Sequence, residues 1–251
     1  MHRLLVESNE LSQESPALSR DALHHLKVLR PKDGEAIELF DGRGSLRRYV
    51  FDASSRALRA APDQTIQTIR RSDKSLTLFA CVTKGSRWDW TLEKATEIGV
   101  TRIVPVISDR TIVRLDKSER AAKCARWRRI VEDAARQSDA VWLPEIVEAV
   151  DFADALALVK ETQCFVGALT TPPPRPLWSA LGEVTPASPR PHYAIYIGPE
   201  GDFTPAELAS LLAVATPVSF GPTVLRAETA ALFGLSVLAA YIAAELGRER
   251  T

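Results

Sequence analysis

Residues 192–204 read HYAIYIGPEGDFT, an apolar run that stops at Gly198 and gives way to proline, glycine and acidic residues. Tyr193 to Ile197 shows no polar alternation, which is how a strand buried on both faces reads. Thr204 followed by Pro205 is a helix start, with threonine as the cap and proline in the first turn. Four other stretches share the texture of this strand: LTLFACV from Leu76, RIVPVI from Arg102, QCFVGAL from Gln163 and PVSFG from Pro217. Between them lie segments with helical periodicity, at 88–98, 118–138, 152–160, 205–214 and 226–246. Short buried strands alternating with helices specify an α/β fold built on a parallel sheet.

The chain ahead of this pattern is different. Up to about residue 69 the runs are short, rich in β-formers and punctuated by Asp33-Gly34 and Asp41-Gly42, the signature of a small β-rich region. One helix over 19–29, capped by Ser19, interrupts it. The polar RRSDK at 70–74 marks a boundary, giving domains at 1–72 and 73–251. Residues 170–192 carry seven of the chain's sixteen prolines and read as a loop, either a binding element or a plain insertion.

The 251 residues are 45% hydrophobic and 25% charged, ordinary globular values. Lys plus Arg and Asp plus Glu both total 32, but residues 1–142 hold 26 basic against 20 acidic groups. A front so biased suits a polyanion, unless the fold neutralises it internally. The three cysteines, Cys81, Cys124 and Cys164, are far apart in apolar runs, which supports neither disulfides nor a CxxC site. No Cys or His falls at metal-ligand spacing, so no metal is expected. The amino terminus is too polar for a signal peptide, and the longest apolar stretch, 230–244, is shorter than a membrane span. These features predict a cytoplasmic protein.

No GxxxxGK[ST], GxGxxG at a strand-helix junction, GxSxG or HExxH occurs, which removes the common nucleotide-binding and hydrolase readings. Two junctions remain. In IGPEGDFT, Gly198 and Gly201 free backbone groups for a ligand at a strand's carboxyl end, although on spacing alone a plain strand-to-helix turn is the simpler reading. In FGPTVLRAETAAL, 220–232, Glu228 suits the positive end of a helix, whereas Arg226 opposes it and so points to a nearby anion.

These two junctions in order, preceded by HHLKVLR at 24–30, FDGRG at 40–44, KGSRWDWTLEKATEIGVTRIVPV at 84–106 and WRRIVEDAARQS with LPEI at 127–146, resemble one family. It is that of the bacterial small-subunit ribosomal RNA uridine-N(3)-methyltransferases, knotted enzymes of the SPOUT superfamily. Lys84, Lys94, Glu97, Gly99, Glu132, Ala135, Gln137, Ser138 and Pro144 match, and the resemblance covers nearly the whole chain. Two departures stand out: the family's GPEGG is GPEGD here, with Asp202, and its QSGR is QSDA, with Asp139 and Ala140.

The resemblance implies an N-terminal PUA-like β-barrel and a SPOUT methyltransferase domain with a deep trefoil knot. S-adenosylmethionine would bind at Leu169 and Thr170, at Ile197, Gly198, Pro199, Glu200 and Gly201, and at Gly221, Leu225, Thr229 and Ala230. The reaction would be attack of a uridine N(3) of 16S ribosomal RNA on the cofactor's methyl group. Arg226 would stabilise the uracil anion, and Glu228 would serve either as base or as a helix-end anion. RNA would meet Arg30, Lys32, Arg43, Lys84, Lys123, Arg126, Arg129 and Arg136, a set that a solvated surface would also explain one residue at a time. The apolar last helix would pair two copies into a homodimer. Ribose 2′-O methylation, and a non-catalytic RNA-binding or assembly role, are the alternatives.

Overall fold

The computed structural model describes residues 1–62, 64–159, 162–182 and 192–248. It contains two compact units, Met1–Arg71 with Glu132–Leu143, and Ser72–Val131 with Pro144–Thr251.

The first unit is a five-stranded sheet. Strands β1 (His2–Leu5), β2 (Ala36–Phe40), β3 (Ser45–Asp52) and β4 (Ala57–Ala60) pair in that order, with β5 (Gln67–Thr68) on β3. β1 and β2 are parallel and the rest antiparallel, and among the described residues the pairing closes no ring. Helix α1 (Arg20–Leu29) starts where its sequence says it should, the Ser19 hydroxyl accepting the Ala22 N–H at 3.1 Å. Ala22 and Leu26 turn inward, and Leu26 joins Leu4, Ile37, Leu39, Tyr49 and Leu58 in one core. The segment Glu132–Leu143 belongs to this unit through backbone pairing: the Gly44 N–H donates to the Val141 carbonyl at 3.2 Å, and the Leu143 N–H to that of Gly42 at 2.9 Å.

The second unit holds seven parallel strands. They are β6 (Ser75–Cys81), β7 (Arg102–Ile107), β8 (Glu145–Ile146), β9 (Val150–Asp151), β10 (Thr162–Gly167), β11 (His192–Ile197) and β12 (Thr216–Val218), in the order β12-β10-β11-β6-β7-β8 with β9 also on β7. The crossovers carry α2 (Ser86–Ile98), α3 (Lys117–Gln137), α4 (Phe152–Ala157), α5 (Leu177–Leu181) and α6 (Pro205–Leu212), and α7 (Ala227–Arg248) follows the last strand. Alternate residues of each central strand enter opposite cores. Leu76, Leu78 and Ala80 of β6, with Tyr193, Ile195 and Ile197 of β11, face one; Phe79, Cys81, Ala194 and Tyr196 face the other. Burial on both faces is the reason the runs are apolar at every position. The three cysteines are free and buried. Desolvation pushes the thiol of Cys81 up to about 11 and that of Cys164 up to about 12, so both are held as inert neutral groups.

Three expectations need correction. The helix expected over 152–160 ends at Ala157. The proline-rich segment is not loop throughout: Leu177–Leu181 forms α5, seated by buried Leu177, Ala180 and Leu181, while Pro186, Pro189 and Pro191 lie outside the described residues. The last helix is apolar for longer than the run at 230–244 suggested, because Ala227, Leu246 and Gly247 extend it past the flanking Glu228 and Glu245. Over Ala227–Gly247, 21 residues, it is long and apolar enough to cross a membrane, and 28% of its most apolar stretch is buried.

Candidate active site

β10, β11 and β12 end at one level, since Val166 pairs with Tyr196 while Gly167 pairs with Val218. Beyond their carboxyl ends lies a cavity of about 550 Å³, walled by three segments: Gly167 to Pro173 without Pro172, Ile197 to Asp202 without Gly201, and Val218 to Ala230 without Glu228 and Thr229. Carboxyl ends of parallel strands are where such sheets bind ligands, because loops diverge there and leave backbone groups unpaired.

Gly167 makes room at the floor: a Cβ there would lie 2.6 Å from the Phe220 ring. The second wall is fixed from outside. Thr204 and Glu207 form a reciprocal capping box at the start of α6, the threonine hydroxyl accepting the Glu207 N–H and the carboxylate accepting the Thr204 N–H at 2.8 Å. The other oxygen of buried Glu207 accepts the Asp109 N–H at 2.9 Å, and Arg110 donates to the Gly201 carbonyl at 2.8 Å. Arg87 of α2 pairs with Glu200 at 3.0 Å. The glycine-rich loop is thereby held by residues following β6 and β7, so its backbone groups are set in place before any ligand arrives.

Of the residues singled out in the sequence, Leu169, Thr170, Ile197, Gly198, Pro199, Glu200, Gly221, Leu225, Arg226 and Ala230 line the cavity. Gly201 and Thr229 are exposed and outside its walls. Glu228 is 7% exposed, buried away from the cavity, with one carboxylate oxygen lacking any hydrogen-bond partner among the described residues. Sequence reasoning passed over Thr171, Phe220 and Val224 as wall residues, and Arg87 and Arg110 as clamps. Phe220 and Val224 lie inside the junction marked at 220–232 and Thr171 follows the marked Thr170, so position could have found them; nothing local marks either arginine.

Each departure from the family pattern puts an aspartate on left-handed backbone, Asp139 at φ 56° and Asp202 at φ 57°. Glycine is the ordinary occupant of that region, and aspartate is among the few side chains that tolerate it. At Asp139 the residue ends α3, where the Ala140 N–H closes on the Ala135 carbonyl at 3.2 Å. Its carboxylate lies 3.7 Å from buried Arg3.

The basic residues divide by unit. In the first, Arg30, Lys32 and Arg43 are exposed, whereas Arg136 is largely covered and paired with Asp133. In the second, Lys84, Lys123 and Arg129 are exposed, and Arg126 is engaged by Asp89 at 2.8 Å. Arg126 and Arg136 are therefore already neutralised locally, which reduces what they can offer a phosphate.

A parallel α/β unit with a preset cavity at its strand ends, joined in sequence to a small β-rich unit, defines a two-unit protein with a ligand site in its α/β half. The chain belongs to the RNA methyltransferase domain family, whose model matches residues 70–239, and residues 18–56 match the RNA methyltransferase PUA domain. It is 28% identical over 247 residues to the ribosomal RNA small subunit methyltransferase E of Synechocystis, covering 96% of this chain and 78% of that one. Its counterpart of the same name in Bacillus subtilis is 26% identical over 249 residues, 95% of this chain and 96% of that protein. Among solved structures, a putative methyltransferase of Legionella pneumophila in complex with the bound cofactor SAM superposes with a TM-score of 0.82 at 28% identity, covering 95% and 96% of the two chains. The ribosomal RNA small subunit methyltransferase E of Neisseria gonorrhoeae, bound to S-adenosyl methionine, gives 0.80 at 29%, covering 96% and 97%.

Proposed function

We propose that this protein methylates N(3) of a uridine in 16S ribosomal RNA, using S-adenosylmethionine. The observation that carries the proposal is the cavity, whose volume of about 550 Å³ lies in the range of cofactor pockets and whose walls combine open backbone with Asp202 and Arg226. Those walls fit a nucleoside carrying both positive and negative charge. When bound, S-adenosylmethionine supplies an electrophilic methyl group.

The chain's own residues do the rest. Gly198, Pro199 and Glu200 present backbone groups to the adenosine, with Ile197 and Leu225 as apolar walls. Arg226 meets the negative charge that develops on a uracil carbonyl as N(3) loses its proton. Glu228, outside the cavity walls, acts as the anion at the start of α7 and is not the base. The first domain, folded as a PUA-like barrel over 1–72, and the exposed cations of 73–251 hold RNA. The connection through the three wall loops is a trefoil knot of the SPOUT kind, the uncovered part of α7 joins two copies, and the enzyme works in the cytoplasm.

The test is transfer of labelled methyl to small ribosomal subunits lacking this modification, wild type beside Arg226→Ala, followed by nucleoside analysis. Label as N(3)-methyluridine with wild type only is the expected result. Label on a ribose 2′ oxygen, or none despite cofactor and subunit binding, would overturn it.

A further inference from the structure

Three charged side chains stand in the cavity wall: Glu200, Asp202 and Arg226. Glu200 is spent on Arg87 at 3.0 Å. Asp202 pairs with no cation among the described residues. One of its oxygens, Oδ1, accepts the Phe203 N–H at 2.8 Å and sits over Gly198, where a Cβ would come within 3.2 Å of it. The carboxylate is thus anchored by one oxygen against the cofactor loop, on a backbone fixed at φ 57°, and its second oxygen makes no hydrogen bond to a described residue. A half-buried carboxylate held this way stands in the wall of a ligand site with no ion pair to a described residue, since Arg110, the cation beside it, is spent on the Gly201 and Phe203 carbonyls.

We infer that Asp202 makes the cavity sensitive to charge at sulfur, so that it favours the loaded methyl donor over the spent one. The inference rests on the reading that S-adenosylmethionine occupies this cavity. In transfer the carbon–sulfur bond breaks with its electron pair left on sulfur, the carbon–nitrogen bond to uracil forms, and the N(3) proton leaves to solvent. The ligand changes from a sulfonium cation to a neutral thioether and is otherwise unaltered. A fixed carboxylate in the wall loses its attraction at that moment, so the cavity holds the donor more tightly than the product and the product competes less well with it.

The test is calorimetric binding to the full-length protein of four nucleosides that separate the charges. S-adenosylmethionine and sinefungin carry a positive group at the sulfur position. S-adenosylhomocysteine lacks that charge but keeps the amino-acid ammonium, and 5′-methylthioadenosine lacks both. Asp202→Asn keeps the acceptor for the Phe203 N–H and tolerates left-handed backbone; Asp202→Gly suits φ 57° and serves as a second variant should the first fold poorly. Both variants are expected to bind the first two ligands about tenfold more weakly and the other two within about twofold of wild type. Equal weakening of S-adenosylmethionine and S-adenosylhomocysteine would place Asp202 against the ammonium and overturn the inference, as would no weakening at all. Failure of wild type to bind any of the four would overturn the cofactor reading and this inference with it.

Discussion

Gly167→Ala tests whether the floor of the cavity is set by packing. The Phe220 ring is slotted between two glycines. A Cβ at Gly167 would lie 2.6 and 2.9 Å from its Cε2 and Cζ, and one at Gly234 of α7 would lie 3.5 Å from its Cε1 and Cζ. Restoring ordinary contact beside the added methyl group requires the ring to move by ~0.8 Å, from 2.6 to about 3.4 Å. Retreat is limited, because the ring also packs against Phe233 with centroids 5.7 Å apart. The remaining direction is into the cavity that Gly167 and Phe220 both line. Overpacking of this kind costs about 1–3 kcal/mol, which in a chain of this size lowers the melting temperature by roughly 2–10 °C. Intrusion of the ring should weaken S-adenosylmethionine about tenfold, ~1.4 kcal/mol. Calorimetric melting and titration measure both, and Phe220→Leu in the Gly167→Ala background should restore part of each with a coupling of at least ~0.5 kcal/mol. A Gly167→Ala protein that melts and binds like wild type would refute the packing argument.

Two further outcomes follow from the first unit. Arg3 is 5% exposed, its Nε bonded to Glu38 at 2.7 Å, its Nη1 to the Ala140 carbonyl at 3.2 Å, and its guanidinium 4.4 Å from the centre of the Phe40 ring; Arg3→Met leaves Glu38 unpaired and should cost about 3–5 kcal/mol in urea denaturation, much of it recovered by adding Glu38→Leu. Burial, and then the Arg136 cation, hold His25 below the usual imidazole value of 6.5, so the unfolded chain takes the proton first: the His25 contribution to stability is complete above pH 6.5 and is lost as pH falls through the folded value. Melting temperatures measured from pH 8 to 5 should show that decline in wild type, and a His25→Gln protein with the same decline would disprove it.

The alternation of strands and helices was legible because each signal is local. Two-sided burial requires Tyr193 to Ile197 to be apolar throughout, and Ser19 and Thr204 cap their helices with their own hydroxyls. The short pieces were not legible. β8 and β9 are two residues each and carry no period to detect, and α5 is five residues inside a proline-rich stretch.

The site divides along the same line. Gly198, Pro199, Glu200, Leu225 and Arg226 could be singled out because they sit at strand-to-helix junctions, where chain direction alone predicts open backbone. Arg126 and Arg129 look alike along the helix, and only folding shows that Asp89 engages the first. Asp139 and Asp202 stood out in the sequence only as departures from the family pattern, and folding shows that both occupy left-handed backbone. The sequence by itself determined which longer segments are strands, where the longer helices begin and which junctions hold loose backbone, since those depend on neighbours within a few residues. Only the tertiary structure decided that β12 lies beside β10, that Phe220 fills the space left by Gly167, and that Glu200 is tied to Arg87 while Asp202 stays uncompensated among the described residues. Contacts between residues far apart in the chain are chosen by the packing of the whole sheet, and no short stretch of sequence contains them.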